Sequence, residues 1–508
     1  MGVNSSAKKF PDKLIVDLRA APVLMADIRW VIPLLFSVIT FAYSMSNMAS
    51  YVISDPDTLM HLASGSWMLE HHQVPATDPF SHNAAGLRWI AHEWLAQILM
   101  ALSYDWGGFY GLRILVASLF SASIICQLIF LLNRVPAIYA IFFSALCFAS
   151  LLGHHLARPH LFTWPVLIIW LSVLLNAVEK KQWRAPYILA PLMILWANLH
   201  GSFILGLMTI PFFALEAFVY ATKGSKIKTL QSWAFFLMLS TAFSLVTPFG
   251  LDGIGFGVNM VSAQFTSMIQ EWAPASGYNL LPIEYWLMLL LAMGLTGYLR
   301  LPLIRLILLL GFIHESLAHV RFISILGLVT PLLIAKPFGD LYYAKRGIKN
   351  NIGGLTLWVI NRKRVLIVFL CACFSLLMLI LTGKTYQNNF LKSSTAPESA
   401  INFIKQEGIS GNVLNHYNMG GYLIFKKIPV FIDGRADLYG ASKIQEYFSI
   451  LNVEKTSNIN KILNDHQISW TIFPPNEKIV FFLNGDAEWK KVFEDQDAVI
   501  HTRRSSAN

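Results

Sequence analysis

The sequence predicts a polytopic α-helical membrane protein of about 11 transmembrane helices, followed by a small C-terminal extracytoplasmic α/β domain. Three observations predict it. The 508-residue chain is 55% hydrophobic and only 13% charged, where soluble domains carry about 25% charged residues. Apolar runs recur along it, many close to the length of about 20 residues that crosses a hydrocarbon core. Between those runs, Lys and Arg gather on alternate connections, as the preference for basic cytoplasmic loops requires.

The first apolar run begins near Val31. It is too long for the core of a cleaved signal peptide and has no small-residue cleavage site, so it is expected to stay as the first span, behind a cytoplasmic segment 1–30. Spans are expected at roughly 31–50, 110–132, 136–152, 161–178, 186–200, 203–221, 232–248, 284–299, 302–314, 322–335 and 365–383, which makes 31–383 a membrane domain. A long loop, 51–110, follows the first span and holds two amphipathic stretches, 57–70 and 92–105. Leu59, Leu62, Ala63, Trp67 and Met68 crowd one region of the first, and Leu95, Ile98, Leu99 and Leu102 line one face of the second. Such helices lie flat at the interface or pack on the bundle. In 384–508, strand-like runs at 411–415, 429–432 and 470–473 alternate with amphipathic stretches at 398–407, 441–452 and 458–466, the pattern of a small α/β domain. Cys126, Cys147, Cys371 and Cys373 all fall in apolar runs, so no disulfide framework is implied.

The net charge of +10 does not point to nucleic acid, because of where it sits. From Lys384 onward there are 14 basic against 13 acidic residues, and before it 25 against 16. Of those 25, 21 fall on one side of the predicted topology, and only Arg88, Arg113, Arg158 and Arg321 fall on the other. The N-terminus is therefore expected in the cytoplasm and the C-terminal domain outside. The one Asn-x-Ser/Thr site, Asn4-Ser5-Ser6, lies on the cytoplasmic side, which favours a bacterial inner membrane with a periplasmic C-terminal domain.

With that topology the unusual polar groups collect on the outer face. They are Ser54-Asp55-Pro56-Asp57 with His61, Ala91-His92-Glu93-Trp94, His154-His155 with Arg158 and His160, Asn198-Leu199-His200-Gly201, Glu271-Trp272, and His314-Glu315 through His319 to Arg321. Ionisable groups at a membrane boundary are costly unless paired or functional. Pro56 suits the first helical position, so Asp55 reads as an N-cap as well as a candidate base. Asp57 sits in the first turn without that duty, with His61 one turn later on the same face. A carboxylate there suits removal of a proton from an acceptor hydroxyl, or the binding of a divalent cation, Mg or Mn, with Asp55, Asp57 and His61 as ligands. Arg158 and Arg321 suit a phosphate, the alternative being a snorkelling side chain at the headgroups. His92, Glu93, His160 and His200 are candidate binding groups or satisfied structural residues. Glu271 suits sugar hydroxyls, and Trp272 a sugar face or an interfacial anchor.

The run Asp55-Pro56-Asp57-Thr58-Leu59-Met60-His61-Leu62-Ala63-Ser64-Gly65, followed by His92-Glu93-Trp94, sits in a first outer loop with two interfacial helices. With about 11 spans and an outer C-terminal domain, this resembles the GT-C glycosyltransferases: protein mannosyltransferases, aminoarabinose transferases and oligosaccharyltransferases. The resemblance covers roughly 30–335 in architecture. It implies a polyprenyl- or dolichyl-phosphate sugar donor, inverting transfer, and an acidic base for which Asp55 or Asp57 is the matching position. The segment Asn412 to Tyr422 is placed like the Trp-Trp-Asp-Tyr-Gly segment of oligosaccharyltransferases. Here His416, Tyr417 and Asn418 stand in the Trp-Trp-Asp places, so sequon recognition does not carry over. Asp433, Arg435 and Asp437, in the strand-and-turn run that follows, either hold acceptor or brace the domain.

The expected partners are a polyprenyl-phosphate sugar donor, membrane lipid, and a glycan, lipid or protein acceptor, with no nucleic acid. Two rivals remain. A secondary transporter places ionisable groups at the midplane, often in repeated halves; no repeat is visible here, and Glu216 is the main intramembrane acid. A non-catalytic envelope assembly protein would use the outer domain as a binding module.

Overall fold

The computed structural model describes residues 21–46, 51–262, 270–347, 394–454 and 456–504. The expected span 365–383, with Cys371 and Cys373, lies outside them. Helices α1 (Ala21–Met45), α2 (Pro56–His71), α3 (Trp94–Leu132), α4 (Ala137–Leu151), α5 (His160–Glu179) and α6 (Leu192–Leu199) are followed by α7 (Phe203–Tyr220), α8 (Lys226–Ser244) and α9 (Leu251–Ser262). Then come α10 (Leu281–Leu295), α11 (Leu303–Ala318) and α12 (Ile323–Lys345). Six helical stretches are long and apolar enough to cross a membrane: Trp94–Leu132, Ala137–His154, His160–Glu179, Phe203–Tyr220, Gly277–Leu295 and Val320–Lys345. The chain is an integral membrane protein, but the count of eleven spans is not reached among the described residues.

The differences have local causes. Pro186 and Pro191 interrupt the fifth expected span, leaving an apolar stretch Tyr187–Leu199. It is about 20 Å long at 1.5 Å per residue, too short to cross alone. Helix α8 opens on Lys226 and Lys228 and lacks the continuous apolar window. The second interfacial stretch runs straight into the next span as α3. Its two segments meet at a kink where Gly108 adopts φ 59°, a conformation costly for a residue with a Cβ. Helix α9, which carries three glycines, has no counterpart among the expected elements.

Helix ends sort by charge. Arg134, Glu179, Glu216 and Arg305 meet at one end of the bundle. Arg305 Nε donates to both Glu216 oxygens at 2.9 and 3.0 Å, its Nη1 to Glu179 at 3.2 Å, and Arg134 Nη2 to Glu179 at 2.8 Å. Glu216 is thus locked in a buried ion network. At the opposite end α2 lies against α3, and the turns carrying Asp55, Glu93, Arg158 and His200 come together. There Arg113 donates to the carbonyls of Ser44, at 2.8 Å, and Ser46, closing the C-terminus of α1.

The C-terminal domain builds a four-stranded mixed sheet from β1 (Asn412–Asn415), β2 (Ile468–Phe473), β3 (Trp489–Glu494) and β4 (Val499–Arg503), in the order β1-β2-β4-β3. Only the β1–β2 pair is parallel. Alternation gives the sheet two apolar faces. Val413, Trp470, Ile472 and Ile500 join the core shared with α13 (Glu398–Gln406), α14 (Gly420–Phe425) and the membrane helices. Leu414, Ile468, Phe473 and Val499 pack under α15 (Ala436–Leu451), α16 (Thr456–Asp465) and α17 (Lys478–Gly485). The expected strand at 429–432 is an extended segment with a single bridge, Val430 to Ser81; its backbone pairs with the first loop instead of the sheet.

Candidate active site

Asp55 and Pro56 start α2. Asp55 is the N-cap, with φ −72° and ψ 134°, and its Oδ2 accepts from the Asp57 amide at 3.2 Å. The turn bearing Arg158 is stitched to this one. Ala157 N–H donates to the Val52 carbonyl at 2.8 Å, and the Thr58 hydroxyl donates to the Ala157 carbonyl at 3.1 Å. Arg158 is thereby held against Asp55 and grips it bidentately, Nε to Oδ2 at 2.7 Å and Nη2 to Oδ1 at 2.5 Å. The same guanidinium reaches Asp57 Oδ2 at 3.1 Å and Glu271 Oε1 at 2.5 Å. One arginine therefore gathers three carboxylates.

The two aspartates are not equivalent. Both oxygens of Asp55 are engaged, and its side chain is 5% exposed. Asp57 is 21% exposed, and its one contact with a protein donor, Arg158, is through Oδ2 among the described residues. Burial pushes Asp57 up to about 7, against the pull of Arg158 and with the help of Asp55 and Glu271. Burial alone would raise Glu271 as well, but Arg158 and then Arg321 hold it down to about 2.

The C-terminal domain closes over Asp57. A Cβ on Gly434 would fall on the Asp57 carboxylate, and one on Gly421 would strike the Pro56 carbonyl. Tyr417 stands close by: burial, then Asp57 and Asp433, raise its phenol well above the ordinary range. Behind it Arg435 donates to Asp78 at 2.6 Å and to Asp433 at 2.7 and 2.8 Å, and the Tyr439 hydroxyl donates to Asp433 at 2.6 Å. Asp433 and Arg435, candidate binding residues by sequence, are buried and engaged in this network. They clamp the domain to the first loop.

A second cluster adjoins. Glu93 faces His200 Nε2 at 3.2 Å, His92 Nε2 at 3.5 Å and His61 Nδ1 at 3.7 Å. His200 Nδ1 accepts from the Ser202 amide at 3.0 Å, so the proton of its neutral ring is on Nε2 and points at Glu93. His92 Nδ1 lies 3.2 Å from the Ile90 carbonyl, so both its ring nitrogens face acceptors and the ring favours the imidazolium form. Burial opposes that charge, but Glu93 overcomes it and raises His92. Burial pushes His61 down to about 4 and His200 to about 3. Burial would raise Glu93, but its histidine neighbours, His92 foremost, hold it well below the carboxylate range. Trp94 Nε1 donates to Asn198 Oδ1 at 2.6 Å, tying the two motifs together.

Arg321 differs from Arg158. Its guanidinium lies over the Trp272 ring, 4.5 Å from the centroid, and it has no hydrogen-bonded or ion-paired partner among the described residues. Trp272 is itself held by His319, whose Nδ1 donates to the Trp272 carbonyl at 2.8 Å. His160 Nε2 donates to the His154 carbonyl at 2.8 Å. His155 stacks on Phe120 and contacts Ser44 Oγ at 3.0 Å, a packing role that sequence alone did not separate from binding.

The divalent-cation expectation does not fit these residues. Among the described residues no three His, Cys, Asp or Glu converge on a metal position. His61 turns to Gln97 and Glu93, and Asp55 and Asp57 close on Arg158. Likewise the donors of Arg158, expected for a phosphate, are turned to carboxylates.

No family model and no curated protein matches the chain. Solved structures share its fold. The oligosaccharyltransferase of Archaeoglobus fulgidus, tethered to an acceptor peptide containing the NVT sequon, superposes with a TM-score of 0.53 at 10% identity, covering 88% of this chain and 69% of that one. The archaeal oligosaccharyltransferase AglB from the same organism, in complex with an inhibitory peptide and a dolichol-phosphate, gives 0.51 at 10% identity over 87% and 69%. The apo form gives 0.51 at 12% identity over 91% and 70%. The architecture expected from the first-loop motifs is the fold that the chain shares with these oligosaccharyltransferase structures.

Proposed function

We propose that this chain is a glycosyltransferase that moves a sugar from a polyprenyl-phosphate-linked donor to an acceptor hydroxyl on the extracytoplasmic face of a bacterial inner membrane. The observation that carries the reading is Asp57, a partly open carboxylate at the start of α2, 3.1 Å from Arg158 and covered by Gly434, whose proton affinity burial raises. A general base works best with its pKa near the working pH. The acceptor peptide and dolichol-phosphate bound by structural neighbours support a lipid-linked donor and a bound acceptor for this fold.

The acceptor hydroxyl gives its proton to Asp57 as its oxygen attacks the anomeric carbon. The bond from that carbon to the donor phosphate oxygen breaks, and the phosphate leaves with the electron pair. Arg321, which no carboxylate among the described residues contacts directly, faces the leaving phosphate and stabilises the developing charge. Asp55 and Arg158 position Asp57, while Tyr417 and Glu271 border the acceptor. Glu93 with His61, His92 and His200 binds sugar hydroxyls, to which it presents donors and acceptors. The test is mass spectrometry of envelope glycans from a deletion strain complemented with wild type or Asp57→Asn at matched membrane levels. A sugar lost in the deletion, restored by wild type and missing with the variant supports transfer. Equal restoration by both moves the function to transport or assembly.

A further inference from the structure

We infer that Asp437 is a further substrate-binding residue of this site, the carboxylate through which the C-terminal domain accepts hydrogen bonds from neighbouring hydroxyls of the transferred sugar; the inference rests on the glycosyl-transfer reading. Three anchors set its place. Gly434 lies against the Asp57 carboxylate, Arg435 is paired with Asp78 at 2.6 Å, and Leu438 packs with Trp94 and Phe249 on the cluster of Met68, Trp89 and Ala91. The 434–438 turn therefore runs from the base to the Ala91-His92-Glu93-Trp94 segment, and Asp437 sits between the last two anchors. Its charge is felt on both sides. Burial raises its proton affinity, His92 pulls it back and Glu93 adds to it. Asp437 in turn adds to the raised phenol of Tyr417, after burial, Asp57 and Asp433.

The neighbouring acids are committed and Asp437 is not. Asp55 and Glu271 pair with Arg158, Asp433 with Arg435, and Asp57 is the base. Glu93 turns Oε1 to His200 and His92 and Oε2 to His61. Among the described residues the one donor to the Asp437 carboxylate is its own main-chain amide. A carboxylate offers about four acceptor positions, and shielding them from water unfilled is costly. A sugar lying against the Glu93 cluster brings hydroxyl donors to a face whose own acid is already occupied. Asp437 supplies acceptors there from the C-terminal domain, and a sugar lacking those hydroxyls would leave them unfilled, which makes the residue a determinant of sugar choice. An acid in the first turn of α15 also complements the helix dipole. That role acts on stability and touches no ligand, so experiment separates the two.

The experiment uses the full chain in detergent. The donor source is the lipid extract of the deletion strain, in which unused donor accumulates, and the acceptor source is the envelope of the same strain. Transfer is read by mass spectrometry as the amount of extract is varied. Asp437→Ala is expected to raise the half-saturating amount of extract roughly ten- to hundred-fold, as for the loss of a hydrogen bond to a charged group, with melting temperature and pH profile unchanged. Asp437→Asn, which keeps one acceptor oxygen, should fall between. An Asp437→Ala protein that saturates like wild type, or that loses maximal rate alone, would overturn the inference; a lowered melting temperature with wild-type saturation would assign the residue to the helix dipole instead. If Asp437→Ala does not fold, Asp437→Asn decides by the same criterion. Asp57→Asn is measured beside them. No product from it keeps the transfer reading whatever Asp437 does, and full product from it removes that reading and this inference together.

Discussion

Replacing Asp57 by Asn should stabilise the protein at alkaline pH and leave it unchanged in acid. The folded site raises Asp57 from 3.8 to about 7, chiefly by burial, so the fold holds this proton more tightly than the unfolded chain does. The stabilisation from that linkage is complete below about pH 4 and is lost as the pH rises through about 7. At roughly 1.4 kcal/mol per unit, the loss is bounded by about 4 kcal/mol. The side chain is 21% exposed and lies 3.1 Å from Arg158. Water and the guanidinium therefore screen part of the effect, and about 2 kcal/mol is the expected size. Asn has the shape of the neutral acid and does not titrate, so the difference between variant and wild type isolates Asp57 from every other titrating group. Unfolding of both proteins in detergent, followed from about pH 3 to about pH 8, should give coincident stabilities at the acid end and a more stable variant at the other. A variant equally stable or less stable at about pH 8 would show that Arg158 favours the charged carboxylate, and the near-neutral base would be refuted.

The same titration sets the activity profile: transfer should fall about tenfold per pH unit below about pH 7, because the base must be ionised, and a profile flat down to about pH 5 would exclude Asp57. Arg321→Gln should raise the donor KM roughly ten- to hundred-fold, as expected for a charged contact of about 1.5–3 kcal/mol, with thermal stability unchanged; a large stability loss instead would mark Arg321 as structural. Arg435→Met leaves Asp78 and Asp433 buried without their cation and should cost roughly 3–5 kcal/mol, seen as faster proteolysis of the C-terminal domain. Gly434→Ala should abolish transfer by displacing Asp57 while the proteolysis pattern stays that of wild type, because the Arg435 clamp is intact.

Local chemistry was legible in the sequence. Asp55-Pro56 announces a helix start, and the structure caps α2 there. The split of Lys and Arg puts Arg134 and Arg305 at one end of the bundle and Arg158 at the other. Long-range pairing was not legible. Arg158 and Arg321 look alike as outer arginines beside histidines, and only the fold shows which one the acids claim. The partners of Arg158 lie 103 and 113 residues away, and those of Arg435 include Asp78 at a separation of 357. The 429–432 run has strand composition, and what decides its fate is the first loop lying beside it.

Two arginine–carboxylate networks occupy opposite ends of the bundle, and their difference separates a lock from a site. At one end Arg134 and Arg305 meet Glu179 and Glu216, two charges against two, with side chains 2 to 10% exposed. Every charge there has a partner, so the network welds α5, α7 and α11 and offers nothing to a ligand. At the other end Arg158 alone meets Asp55, Asp57 and Glu271, whose side chains open to 21% at Asp57 and 34% at Glu271. That end carries more acid than base at contact range, while Arg321 lies over Trp272, near Glu271 but in ion-pair contact with no acid among the described residues. An unbalanced network held rigid by main-chain stitches resolves its imbalance by taking a proton or a ligand. On the proposed reading Asp57 takes the proton and Arg321 meets the anion, which puts acid–base chemistry at this end of the bundle and mechanical stability at the other.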